Sequence, residues 1–216
     1  ESLMNACSEW ADIRITLTKN IPAGSGLGSA SSDAAATLLA LNRYLDIGLP
    51  NTQLAKLAPR LGSDVAFFLN GPLALCKGKG EKITKLKQKF DFLAVLILPD
   101  INISTQKVYV NYTHDQSRYE NLHAAITDHI QKNRIDSVVG MCANMLEQSC
   151  FSLVEDLAEM KAEVESSGTG PVCLSGSGSA MFCVIDSMDA KKAGALRDRL
   201  TENVGCKSLV VRNNRW

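Results

Sequence analysis

Small residues crowd the stretch "PAGSGLGSASSDAAA", where Gly24, Gly26 and Gly28 alternate and Ser29, Ser31 and Ser32 lead into an alanine-rich, helix-like run. Glycine lets backbone approach a ligand closely. A helix start offers unpaired N–H groups and the positive end of a dipole, so an anion is favoured there. Phosphate is the natural guest. A tight connection with a capping serine explains less, because one cap needs one serine. The common phosphate motifs each fail on a residue. GxGxxG counted from Gly24 requires glycine where the chain has Ser29. Walker A requires a lysine, and Ala30 stands in its place with no lysine after the turn. A protein-kinase glycine loop belongs in a hairpin, and neither HRD nor DFG follows.

Asp64, in "GSDVAFFLNG", precedes an apolar run. A carboxylate in such a place needs a reason. It could take or orient the proton of an acceptor hydroxyl; it could also cap a helix or pair with Arg60. "LSGSGSAMFCVI", Leu174 to Ile185, reads as strand, glycine turn, strand, either supporting a cleft or only turning a hairpin. Asp33 suits a helix cap or the orientation of a serine. His114, His123 and His129 lie in polar surroundings and suit the surface. The methionines suit packing.

Elements must position these groups. "DIRITLTKN" alternates Ile13, Ile15 and Leu17 with polar residues, the pattern of a half-buried strand. A helix is expected from Ser32 to about Leu45, closed by Gly48 and Pro50. Asn51 is expected to cap the next helix, whose end Pro59 disturbs. "LALCKGKGEKITKL" suggests two strands about a Lys-Gly turn, and "FLAVLILP" a fully buried strand opening a second domain. The stretch 102–121 is polar and resists assignment. Helices are expected over 122–131, 134–148, 153–166 and 189–201, and a strand over 207–211. No steady βαβ rhythm is present, so the class is α+β.

The 216 residues suffice for one domain or two modest ones, with 45% hydrophobic and 21% charged residues. Lys plus Arg equals Asp plus Glu at 23 each, so no global charge draws nucleic acid or an acidic membrane. The run Lys77, Lys79, Lys82, Lys85, Lys87, Lys89 reads as a solvated hairpin edge. No apolar run reaches the roughly 18 residues of a transmembrane helix, and no signal peptide is visible. Seven cysteines, odd in number and widely spaced without a CxxC pair, suggest reduced and mostly buried thiols. A structural zinc site has little support.

"PAGSGLGSASSDAAA" resembles the central motif of the GHMP kinases, the galactokinase, homoserine kinase and mevalonate kinase superfamily. Asp33 after the double serine and "LGSDVAFFLNGPLALCKGKGEKITKL" resemble the 4-diphosphocytidyl-2-C-methyl-D-erythritol kinase branch. "LSGSGSAMFCVI" resembles the superfamily's C-terminal glycine motif, and "NMLE" at Asn144 to Glu147 extends the likeness over nearly the whole chain. The resemblance implies a two-domain fold. Residues 1–89 would be the remainder of an N-terminal domain like ribosomal protein S5 domain 2, and residues 90–216 a ferredoxin-like α/β plait. It implies transfer of the ATP γ-phosphate to the 2-hydroxyl of a cytidine-diphosphate-linked substrate in non-mevalonate isoprenoid (terpenoid) biosynthesis, in a bacterial cytoplasm or plastid stroma. Asp64 would be the catalytic residue. Pro22, Gly24, Ser25, Gly26, Leu27, Gly28, Ser29, Ser31 and Ser32 would hold ATP, with Ser31 or Ser32 reaching Mg²⁺. Ser104, Thr105, Gly176 and Ser177 would face the substrate. The family tends to show glycine where this chain has Ser25, Ser29 and Ala30.

The resemblance also implies that the family's first strand, with its lysine, and its cytidine-binding Gly-Tyr-His segment are absent, and part of the adenine pocket with them. The 216-residue chain alone is then expected to be a poor kinase, the missing part coming from a partner chain or longer parent. A monomer or weak homodimer is expected at full length. Another GHMP kinase, of homoserine or mevalonate type, and a non-catalytic nucleotide-binding relative are the rival readings.

Overall fold

The computed structural model describes residues 2–7, 11–87, 91–132, 142–185 and 188–213. The chain forms two compact units, one mainly of Glu1–Pro22 and Gly28–Lys87, the other mainly of Ala23–Leu27 and Gln88–Asn213.

The first unit carries α1 (Ser2–Cys7), α2 (Ser29–Tyr44), α3 (Asn51–Leu57), a 3-10 turn (Ala58–Arg60), α4 (Val65–Asn70) and the hairpin β1 (Ala74–Lys77) with β2 (Lys82–Lys85). Ala35 and Leu38, three residues apart on one face of α2, are buried with Leu54, Ala58, Val65, Ala66 and Leu69. Alanine at the contact lets helix backbones come close. Asn42 closes the turn after α2: its Nδ2 donates to the Leu49 carbonyl, and the Leu49 N–H donates to its Oδ1, both at 2.9 Å. Asn51 is the first residue of α3 rather than its cap, because Pro50 holds the extended position before it. Its side chain instead donates to the Leu69 carbonyl at 3.0 Å, tying α3 to α4. Pro59 falls where α3 tightens into the 3-10 turn.

The strand expected around Ile13, Ile15 and Leu17 does not form among the described residues. Residues 11–20 join no ladder, and Ile15 and Leu17 are 60% and 59% exposed. Alternation suits a chain to a sheet, but a strand exists only where a neighbour takes its hydrogen bonds.

The second unit runs β3 (Leu93–Leu98), α5 (Thr105–Val110), α6 (Gln116–Gln131), α7 (Glu147–Leu153), α8 (Glu155–Ser166), β4 (Val172–Leu174), β5 (Met181–Ile185), α9 (Ala190–Val204) and β6 (Lys207–Arg212). Its antiparallel sheet has the order β4-β5-β3-β6. Strands in the sequence β-α-β-β-α-β with this order make the α/β plait expected for this half. Val95 of β3 lies opposite Cys183 on one side and Val210 on the other. That central position explains the unbroken apolar run of "LAVLIL", which has strands on both sides and buried faces. Leu157, Val164, Ala193, Leu196 and Leu200 from α8 and α9 complete the core.

The polar stretch after β3 proves to be α5, a short connection and the start of α6. Ser104 Oγ accepts from the Lys107 N–H, and Asp115 Oδ1 from the Arg118 N–H. These caps make helices out of residues whose polarity hides the apolar period. Of the helix expected over 134–148, residues 133–141 lie outside the described residues, as does Lys89; α7 begins at Glu147. No described helix is long and apolar enough to cross a membrane.

Candidate functional site

The loop Ala23–Leu27 belongs to the second unit, where it is seated on the glycine turn between β4 and β5. Ser25 is buried, and its carbonyl accepts from the Ala180 N–H at 3.1 Å. The Gly26 carbonyl accepts from Ser175 Oγ at 3.0 Å. Gly26 has φ +73, and a Cβ there would collide with the Ser175 carbonyl and stand 2.9 Å from the Gly178 nitrogen. Glycine is required by both the torsion and the approach. Asn102, just after β3, brings Oδ1 to 2.6 Å from where a Gly24 Cβ would sit.

Residues named from distant parts of the sequence meet beside this seat. Thr105 Oγ1 and Ser177 Oγ share a hydrogen bond of 2.9 Å. Ser104 stands next to Thr105 as the α5 cap. Ser179 Oγ donates to the Ile101 carbonyl at 2.5 Å, holding the turn against the segment that carries Asn102 to Thr105. Asn144 braces the turn from another side: its Nδ2 donates to the Leu174 carbonyl at 3.0 Å and the Gly176 carbonyl at 2.7 Å. Its Oδ1 accepts from the Leu146 N–H at 2.9 Å. Ser175 and Ser179 fall within the glycine motif read from the sequence, where neither had a role of its own, and Asn102 likewise had none.

In the first unit, Gly28 occupies the N-cap position of α2 with φ +64, and no side chain caps the helix. A Cβ on Gly28 would stand 2.9 Å from Phe68 Cζ. The first-turn N–H groups are thus left to an external acceptor. Ser32 Oγ donates to the Ser29 carbonyl at 2.9 Å. Lys19 reaches the same helix start, with Nζ 2.6 Å from Asp33 Oδ2 and 3.3 Å from Ser29 Oγ. A cation at a helix N-terminus opposes the dipole, and the Asp33 carboxylate offsets it. Asp33 therefore does not cap the helix; it holds the lysine that meets Ser29. Lys19 was not singled out in the sequence, because a lysine was sought after the glycines and this one precedes them.

Asp64 stands at the N-cap position of α4 and is exposed. Its side chain makes no capping bond, and no ion pair joins it to Arg60 among the described residues. Burial thus gives no reason for a carboxylate here, and neither of the two structural roles is filled. The hairpin lies alongside: a Cβ on Gly80 would come 3.0 Å from the Ser63 carbonyl. The Cys76 thiol is pushed up from its ordinary value by burial and then by the Asp64 charge.

Within the first unit, the uncapped start of α2 offers N–H groups and the positive end of the helix dipole to an anionic oxygen, and the Lys19 ammonium reaches the same helix start. No group of three or more His, Cys, Asp or Glu able to hold a metal occurs among the described residues. A magnesium ion bound through phosphate oxygens, with one serine hydroxyl, needs no such group.

Residues 1–72 match the family model of the GHMP kinases N-terminal domain, and residues 126–200 that of the GHMP kinases C-terminal domain. The chain is 40% identical to a 4-diphosphocytidyl-2-C-methyl-D-erythritol kinase of Chloroherpeton thalassium, over 93% of this chain and 71% of the relative. It is 33% identical to the kinase of the same description from Clostridium botulinum (strain Eklund 17B / Type B), over 88% of this chain and 67% of the relative. A crystal structure of 4-(cytidine 5'-diphospho)-2C-methyl-D-erythritol kinase superposes with a TM-score of 0.72 at 29% identity, covering 97% of this chain and 74% of that one. Among curated relatives of this description, the span matched runs from 60% to 71% of the relative's length.

Proposed function

The chain belongs to the GHMP kinases, in the family of the 4-diphosphocytidyl-2-C-methyl-D-erythritol kinases, and from that membership we propose that it takes part in ATP-dependent phosphorylation of the 2-hydroxyl of 4-diphosphocytidyl-2-C-methyl-D-erythritol. The observation that carries the reading is the seat of Ala23–Leu27 on the Ser175–Ala180 turn within the second unit. A loop held this tightly has its amides oriented before any ligand arrives. Preorganised donors stabilise charge without reorganising as it moves.

Magnesium-bound ATP supplies the transferable phosphoryl group and the divalent charge. The remaining roles belong to the chain. Pro22 and Leu27 shape the loop, while the amides from Gly24 to Ser29 donate to phosphate oxygens. Lys19 adds a positive charge, placed by Asp33. Ser31 or Ser32 offers a hydroxyl oxygen to the metal. Asp64 orients the acceptor hydroxyl and accepts its proton, for which an exposed carboxylate without a structural partner is free. The Thr105 and Ser177 hydroxyls, with Ser104 and Gly176, face the substrate. Residues 1–72 correspond to the family's N-terminal domain.

The test is ADP release with ATP and Mg²⁺ against the cytidine-linked alcohol, homoserine and mevalonate, run on the longest natural form of the protein. Transfer to the cytidine-linked alcohol alone is expected. Asp64→Asn should lower kcat by about 10²- to 10⁴-fold while leaving the melting curve in place. Transfer to homoserine or mevalonate instead, or ATP binding with no transfer to any of the three, would overturn the reading.

A further inference from the structure

Ser177 lies between two glycines, Gly176 at φ +54 and Gly178 at φ +83. Glycine restrains the backbone least of all residues, so a hydroxyl placed between two of them is only as well aimed as the groups that hold the turn. The Gly178 side is held from within and from β3's end. Its N–H donates to the Ser175 carbonyl at 2.9 Å, and the next residue, Ser179, is tied to the Ile101 carbonyl. On the Gly176 side the hold comes from a distant residue. Asn144, 32 positions earlier, donates from Nδ2 to the Gly176 carbonyl at 2.7 Å and to the Leu174 carbonyl at 3.0 Å. Its Oδ1 accepts from the Leu146 N–H, the residue just before α7. The carboxamide thus spends both donor hydrogens on the turn and is itself fixed by the start of a helix.

We propose that Asn144 is a positioning residue for the alcohol substrate: it locks the peptide between Gly176 and Ser177 and so sets the Ser177 hydroxyl against Thr105. A peptide unit is planar, so fixing the Gly176 carbonyl fixes the nitrogen and α-carbon of Ser177 as well. Thr105 is the first residue of α5, where Ser104 caps the helix, and is already held. Ser177 is the partner whose place needs setting, and the 2.9 Å bond between the two hydroxyls is the result. What the pair holds rests on the kinase reading above; how the pair is held rests on these hydrogen bonds alone.

The same geometry separates the two substrates. The loop Ala23–Leu27 hangs on the base of the turn, through Ser175 Oγ and the Ala180 N–H. That base is closed by the Ser175 N–H donating to the Ala180 carbonyl at 2.9 Å, a bond in which Asn144 has no part. Loss of the Asn144 donors therefore loosens the tip that carries Ser177 and leaves the seat of the phosphate loop.

The test is steady-state kinetics on the longest natural form of the protein, with hydrogen exchange alongside. Asn144→Ala should raise KM for the cytidine-linked alcohol about tenfold, the worth of roughly one positioned hydrogen bond, and leave KM for ATP unchanged. In a Ser177→Ala background the same substitution should add little, because the group it positions is gone. An equal rise in both backgrounds, or a parallel rise in KM for ATP, overturns the proposal. Asn144→Asp keeps the acceptor for the Leu146 N–H and loses both donors, so it should repeat the Asn144→Ala kinetics; wild-type kinetics in this variant also overturn the proposal. Amide exchange over residues 174–178, followed by mass spectrometry without any substrate, should be faster in Asn144→Ala than in the wild-type protein. Unchanged exchange overturns the proposal whether or not phosphate is transferred. Faster exchange in the variant, with no transfer to the cytidine-linked alcohol by the wild-type protein, would support the hold on the turn and count against the kinase reading instead.

Discussion

Gly26 shows how much a single residue can be asked to do. It sits at φ +73, and its carbonyl accepts from Ser175 while its α-carbon faces the Ser175 carbonyl and the Gly178 amide. Gly48 has almost the same torsion, φ +71, with nothing near a would-be Cβ. The pair separates the torsional cost from the cost of close approach. Gly48→Ala should lower unfolding free energy by about 1 kcal/mol. Gly26→Ala should lower it by roughly 1–3 kcal/mol more, since backbone must shift to admit the methyl group. Urea melts of the two variants measure the difference; equal losses would mean that the loop is not seated as described. The serines around Gly26 are less demanding, because a hydroxyl can rotate where a carbonyl cannot.

At the scale of elements, capping decides where helices begin. Asp189 Oδ1 accepts from the N–H groups of Lys191 and Lys192 at 2.9 and 3.1 Å, starting α9 so that Ala193, Leu196 and Leu200 face the sheet. Asp189→Ala should cost about 1 kcal/mol in chemical denaturation, with Asp189→Asn recovering most of it. The start of α2 is built in the opposite way. Glycine precedes it, no side chain caps it, and its N–H groups are left available. A helix that forgoes a cap loses a comparable contribution, which fits a terminus kept for a ligand. The apolar period made α2 and α9 legible from sequence, whereas α5 was concealed because its six residues expose most of their surface and only Val108 is fully buried.

For the whole molecule, burial of thiols couples stability to alkaline pH. Cys150 and Cys183 are pushed up to about 11 in the folded protein by desolvation, against an ordinary value of 9.0 in the unfolded chain. Above the lower value the unfolded state binds fewer protons than the native state, so unfolding is favoured as pH rises. Stability from this source should be fully present below about pH 9 and decline towards about pH 11. Urea midpoints across that window should fall, and a Cys183→Ala variant should fall less steeply. A flat profile in the wild-type protein would show that these thiols are not desolvated.

The sequence by itself determined the local chemistry: a phosphate-type loop from Gly24 to Gly28, a helix running on from it, a strand–turn–strand around Gly176 and Gly178, and the buried β3. Each depends on a period of a few residues or on a residue type with a special torsion, and such signals survive without a partner. Only the tertiary structure decided that Thr105 meets Ser177, that Asn144 braces Gly176, that Lys19 pairs with Asp33, and that Ile13, Ile15 and Leu17 alternate without forming a strand. Those outcomes depend on which group lies opposite across a gap of many residues, and periodicity within one segment contains no such information.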